Sequence, residues 1–218
     1  TTPSYTFFST LPGTITYGGS CSSTTSATAG DNNIFFNALA EGTYDNCTIS
    51  VDNNSNTSDN LSVSSFTIDT TPPTLDNVTI ASDNTLNTTL AKIDDNITLS
   101  FTSSETLKSK PIVKIAGNNA IVNGDNITWS ATYKMRDTDS DNDSQKLVSL
   151  NIVFYDLAGN PGTAIDTTTN GSAVWFDKTP PTLPSRTIAS NNTLYTTMAK
   201  TGDNITLSFT SSEAIQTP

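Results

Sequence analysis

Apolar residues in this chain come in short alternating bursts. The clearest is Asn96-Ile97-Thr98-Leu99-Ser100-Phe101, with Ile97, Leu99 and Phe101 on one face and polar residues on the other. That is the two-residue period of a half-buried strand. The same period puts Ile127, Trp129, Ala131, Tyr133 and Met135 on one face, and Val148, Leu150, Ile152 and Phe154 on another. Shorter bursts at 4–9, 14–17, 34–36, 48–51, 61–69, 74–81, 111–115 and 173–177 read as further strands. Turn chemistry separates them, as in Leu11-Pro12-Gly13, Asp52-Asn53-Asn54-Ser55-Asn56 and Leu157-Ala158-Gly159-Asn160-Pro161-Gly162. No segment carries a 3.6-residue apolar period, so the expected class is all-β.

A second regularity is longer. Asp69-Thr70-Thr71-Pro72-Pro73-Thr74-Leu75 returns 108 residues later as Asp177-Lys178-Thr179-Pro180-Pro181-Thr182-Leu183. Each copy reads as a seam, where one unit's last strand ends in an acid and a stiff Pro-Pro link enters the next unit. Most positions of 72–110 and 180–218 are identical. The division is therefore 1–71, a unit lacking its first strand; 72–178, a complete unit; and 179–218, the first two strands of a third. The lack is read from aligning Ser4–Ser9 with Thr98–Ser103. The chain starts and stops abruptly and reads as an internal piece of something longer. Its incomplete ends carry unpaired strand edges, which are expected to exchange strands between molecules.

Composition narrows the function. The chain has 218 residues, a formal net charge of -11 and no histidine. Nucleic acid needs a basic patch and is not an expected partner. Without histidine there is no Ser-His-Asp triad and little scope for zinc. Adjacent acids such as Asp94 and Asp95 point to opposite faces of a strand, and no nucleophile–base pair is evident. An enzyme is not expected. No apolar run approaches the roughly 20 residues of a membrane-spanning helix, so this segment is not expected to insert into a membrane. Cys21 and Cys47 lie within one unit. They read as a disulfide formed in an oxidising compartment, or else as two buried thiols. Tyr44, three residues before Cys47, is similar to the tyrosine corner of immunoglobulin-type sandwiches, where the spacing is two. Trp129 and Trp175 are expected in the core.

Four stretches carry a resemblance: residues 187–192 (Thr-Ile-Ala-Ser-Asn-Asn), 202–215 (Gly-Asp-Asn-Ile-Thr-Leu-Ser-Phe-Thr-Ser-Ser-Glu-Ala-Ile), 156–160 (Asp-Leu-Ala-Gly-Asn) and 176–183 (Phe-Asp-Lys-Thr-Pro-Pro-Thr-Leu). With these the chain resembles bacterial immunoglobulin-like tandem repeats of very long secreted surface and biofilm adhesins. The resemblance implies tandem Greek-key β-sandwiches, an extracellular or cell-surface location, neighbouring repeats as partners and calcium-rigidified junctions. It implies a spacer role, the alternative being a module that binds carbohydrate or protein through its loops.

Strand direction places the acids. Glu105 follows the second strand of the complete unit, Asp156 opens its last turn, and both should face Asp69 across the first seam. Three carboxylates with backbone carbonyls suit calcium, which takes roughly 6–8 oxygens. At the second seam Asp177 and Glu213 are the equivalents, joined by Asp94 or Asp95. The counterpart of Glu105 in the first unit lies close to Leu11, which has no ligand atom. A further candidate is Asp137-Thr138-Asp139-Ser140-Asp141, whose alternating acids resemble the start of an oxygen-ligand calcium loop. Asn142 stands where such a loop needs glycine and Val148 where it needs glutamate, so it is no EF-hand. The other reading of all these acids is ordinary solvated loop charge.

Overall fold

A computed structural model describes residues 1–139 and 146–215. Those residues form strands and turns only, with no helix among them. In chain order the strands begin with β1 (Ser4–Ser9), β2 (Gly13–Gly18), β3 (Ser26–Ala27), β4 (Gly30–Phe35), β5 (Gly42–Tyr44), β6 (Thr48–Asp52), β7 (Leu61–Ser62) and β8 (Phe66–Ile68). They pair as β1-β4, β3-β2-β6-β7 and β5-β8, all antiparallel. Ile15, Ile34, Phe36, Ile49 and Val63 make a small core. Cys21 and Cys47 lie in that core as a disulfide, their Cα atoms 5.3 Å apart. The Tyr44 hydroxyl donates to the Ala40 carbonyl at 3.0 Å, tying the loop before β5 to its own strand.

The second unit holds β9 (Leu75–Ser82), β10 (Leu90–Ala91), β11 (Asn96–Ser103), β12 (Ile112–Ile115), β13 (Asn118–Asn119), β14 (Ile121–Asp125), β15 (Thr128–Lys134), β16 (Lys146–Leu147), β17 (Leu150–Val153) and β18 (Trp175–Phe176). One sheet runs β14-β15-β11-β9. Facing it are β13-β12-β17 and β10-β18-β16, the latter containing a parallel pair, β10 with β18. A single core fills the space between, from Leu75, Val78 and Ile80 of β9 to Leu150, Ile152, Phe154 and Phe176 opposite. Residues predicted to face in from β11 and β15 do so: Ile97 stands across from Tyr133, Leu99 from Ala131 and Phe101 from Trp129. β9 is less regular. Its register on β11 shifts between Thr79 and Asp76, so Asn77 and Val78 share the place opposite Phe101. Asn77 takes φ 53° there and Val78 is fully buried.

Two expected core residues are outside. Ile127 is 46% exposed because it belongs to the two-residue turn joining β14 and β15, with Asn126 at φ 50°. Trp175 is 41% exposed because β18 turns Val174 and Phe176 inward. Trp175 stands outward between its cross-strand neighbours Leu90 and Leu147.

The third segment is a hairpin of β19 (Ser185–Ser190) and β20 (Ile205–Thr210), paired antiparallel. Its corners copy those of the second unit. Asp95 accepts from the Asn84 side chain and the Lys92 amide at 2.9 Å each. Asp203 accepts from Asn192 at 3.1 Å and Lys200 at 2.9 Å. At the other end the hydroxyls of Ser9, Ser103 and Ser211 donate two residues on, to the carbonyls of Leu11, Glu105 and Glu213. One corner therefore recurs in all three segments.

Gly162 lies under the buried ring of Phe154, and an added Cβ would overlap that ring. Gly162→Ala should cost roughly 1–3 kcal/mol of second-unit stability, as overpacking does. Denaturant melts followed by tryptophan fluorescence will show it, since both tryptophans lie in this unit; an unchanged midpoint would refute this packing.

Candidate metal centre at the first seam

β8 ends at Ile68, and the chain leaves the first unit through Asp69. The next four residues are fixed from both sides. Thr70 and Thr71 hydroxyls donate to the Glu41 carboxylate at 2.7–2.8 Å, and the Thr71 amide donates to Asp69 at 3.1 Å. After Pro72-Pro73, Thr74 and Ser104 exchange two hydrogen bonds, amide to side-chain hydroxyl at 3.0 Å and amide to carbonyl at 2.9 Å. This holds the start of the second unit against the corner that carries Glu105.

Asp156 reaches the seam from the far side. Leu107 and Asp156 pair as an isolated bridge, and the Lys108 amide donates to the Tyr155 carbonyl at 3.0 Å. Asp156 is 0% exposed. Its Oδ1 accepts from the amides of Gly159 at 2.6 Å and Asn160 at 2.8 Å, and its Oδ2 from the Asn160 side chain at 2.7 Å. The same Asn160 amide group donates at 3.1 Å to the backbone carbonyl of Asp69, so it joins the two units.

Asp69, Glu105 and Asp156 each present a carboxylate oxygen, all within 4.8 Å of one another. Glu41 adds a fourth charge that Glu105 feels. The ion pairs among the described residues are Lys92–Asp95, Lys134–Asp94 and Lys178–Asp137, and none reaches this group. Burial, then the charges of Asp69, Asp156 and Glu41, push the Glu105 carboxyl above its ordinary 4.5. Burial also acts against ionised Asp156, but hydrogen bonds from Asn160, Gly159 and Ala158 outweigh it and hold that carboxyl below 3.8. The hydroxyls of Thr71 and Thr70 lower Glu41. The donors are all oxygen, in a chain without histidine and with both cysteines in a disulfide. That set fits a hard cation such as calcium and not a soft-ligand metal.

The other predicted acids sit elsewhere. Asp95 is buried in its corner, bound by Asn84 and Lys92, and does not join Asp177 and Glu213. Asp177 accepts from the Thr179 amide at 3.0 Å, as Asp69 does from Thr71. A groove of about 580 Å³ opens at the second seam, lined by Leu90, Ile93, Pro180, Glu213 and Ile215 among others. Lys178 stands where the first seam has Thr70, and its ammonium donates to the Asp137 carbonyl at 2.8 Å. The alternating-acid loop shows no common focus among its described members. Asp137 is exposed toward Lys178, whereas Asp139 is buried and accepts from Tyr133, Asn118 and the Arg136 amide. Asp141 lies outside the described residues. Two residues of the first seam escaped sequence reasoning, Glu41 and Asn160. The adjacent Thr70-Thr71 pair, rich in hydroxyl donors, was the available signal for Glu41.

No protein-family model matches the chain, and neither does any curated protein. Among solved structures the chain is similar to SGBP-B of the Bacteroides ovatus mixed-linkage glucan utilization locus, solved in complex with a mixed-linkage heptasaccharide. The identity is 10%, the TM-score 0.22, and the match covers 86% of this chain and 45% of that one. The chain thus spans less than half the length of that protein.

Proposed function

We propose that this chain is a spacer segment of an extended extracellular protein, built of tandem immunoglobulin-like sandwiches over 1–71, 72–178 and 179–218. Calcium at the first seam stiffens the junction. The observation that carries this reading is the convergence of Asp69 from one unit with Glu105 and Asp156 from the next. A bound cation would neutralise mutually repelling acids and be held by both units at once, which restricts their hinge. Asp69, Glu105 and Asp156 would hold it, with carbonyls and water completing its shell. The sheet order β14-β15-β11-β9 facing β12 and β17, the recurring corners and the Tyr44 corner support the sandwich reading. The disulfide fits an oxidising location. Outward aromatic residues are dispersed: Phe8 on β1, Phe35 on β4, Tyr155 after β17, Trp175 on β18, Tyr195 in the hairpin loop and Phe209 on β20. That spread favours a spacer over a ligand platform.

Calorimetry and small-angle scattering with calcium or chelator test the reading. Calcium should raise the second-unit melting temperature and narrow the distribution of interdomain distances. The double variant Asp69→Asn/Glu105→Gln should lose both responses, and its metal-free melting temperature at neutral pH should be no lower than that of wild type, since two repelling charges are gone. A wild-type protein indifferent to calcium in both measurements would sink the metal centre.

A further inference from the structure

The β19–β20 hairpin repeats β9–β11 so closely that the two compete for one place. Ile188, Ile205, Leu207 and Phe209 match Ile80, Ile97, Leu99 and Phe101 at the 108-residue offset. The second-unit residues are 5% exposed or less, whereas the hairpin residues are 49–71% exposed. Leu183 and Ala199 match Leu75 and Ala91 in the same way. An apolar face of this shape fits the inner surface of β12, β17 and β18, which β9–β11 already covers. In a second copy of the chain, the hairpin could therefore take the place of β9–β11.

One inward position breaks the equivalence. The counterpart of fully buried Val78 is Arg186. On β19 this arginine stands directly across from Phe209, on the apolar face, and its guanidinium donates to the Leu183 carbonyl at 3.4 Å. Asp76-Asn77, which set up the irregular register that turns Val78 inward, are replaced by Pro184-Ser185, and β19 pairs with β20 without a register shift. Seated in place of β9, the hairpin would bury a guanidinium in the apolar cluster that encloses Val78, an arrangement that proteins avoid. We propose that Arg186 is a pairing-specificity residue, which bars the 183–211 hairpin from exchanging into the second unit of another copy. Without it, tandem repeats this alike are prone to swapping.

Exchange inside one chain is closed on separate grounds. Leu183 would have to travel the length of β9, about 26 Å for its eight residues. The linker 177–182 stretched fully covers about 20 Å.

The test refolds the full chain from denaturant at high concentration and measures its mass by light scattering after size exclusion. Wild type and Arg186→Lys should refold as monomer. Arg186→Val, and more strongly Pro184→Asp/Ser185→Asn/Arg186→Val, should give a dimer whose fraction rises several-fold and which persists on dilution until the protein is unfolded again. Three results would overturn the proposal. These are a wild type that dimerises as much as the variants, variants that stay monomeric, or a dimer that dissociates at once on dilution, as simple contact between exposed faces would. The substitutions lie outside the cores of the first two units, whose melts report that folding is retained.

Discussion

Replacing Cys21 and Cys47 together by alanine should destabilise the first unit by about 3–4 kcal/mol and leave the second untouched. The bridge spans 26 residues of sequence, and a closed loop of that length restricts the unfolded chain by about that much. The first unit has little else to draw on. Its buried cluster is small, and Tyr5 and Phe7 of β1 are only partly covered, where their aligned partners Leu99 and Phe101 are sealed. A loss near 3 kcal/mol is a large part of a small unit's margin. Hydrogen exchange of the β2 and β6 amides should rise toward unprotected rates in the variant, while tryptophan fluorescence, which reports the second unit alone, should melt at the wild-type midpoint. Equal protection with and without the bridge would show that the core, not the cross-link, holds this unit.

Asp156→Ala should cost the second unit about 3 kcal/mol and uncouple it from the first. The carboxylate is fully buried and takes three short hydrogen bonds from the 156–160 turn, and truncating it leaves those donors unpaired. Asn160 would lose its anchor and with it the bond to Asp69. The expected signs are a lower fluorescence midpoint and a broader distribution of interdomain distances in scattering. Acid titration in chelator gives a further check with two opposite arms. The raised pKa of Glu105 contributes stability that is present below 4.5 and lost as pH rises through its higher folded value. The lowered pKa of Asp156 contributes stability that is present above 3.8 and lost as pH falls through its lower folded value. Metal-free wild type should therefore couple its units best in mildly acidic solution, and Glu105→Gln should flatten the upper arm. A coupling that weakens steadily on acidification from neutral pH would contradict this arrangement of charges.

Much of the fold was legible because strand alternation is local. Ile97, Leu99, Phe101, Trp129, Ala131 and Tyr133 were placed correctly by period alone. Ile127 and Trp175 failed because a turn and a change of face at a strand's end are decided by the neighbours across the sheet. The meeting of Asp69, Glu105 and Asp156 could be reasoned from strand direction, since each acid ends or follows a recognisable strand. Asp95 and Asp139 could not be separated from ligand candidates by sequence. Their roles rest on hydrogen bonds from Asn84 and Tyr133, which are distant in the chain or set by a corner's geometry. Glu41 and Asn160 were missed for a like reason: the β5–β8 pairing brings Glu41 to Thr70 and Thr71, and Asn160 meets Asp69 of the other unit.

The amide of Asn160 grips Asp69 by its main-chain oxygen and not by its carboxylate. Tether and charge at this joint are therefore separate parts. Altering the side chain at 69 would remove one of the three carboxylates while the pin stays in place. Altering Asn160 frees the pin and also takes one hydrogen bond from the Asp156 carboxylate. In an array made of such joints, a substitution at 69 would change the charge at each joint without touching its pin.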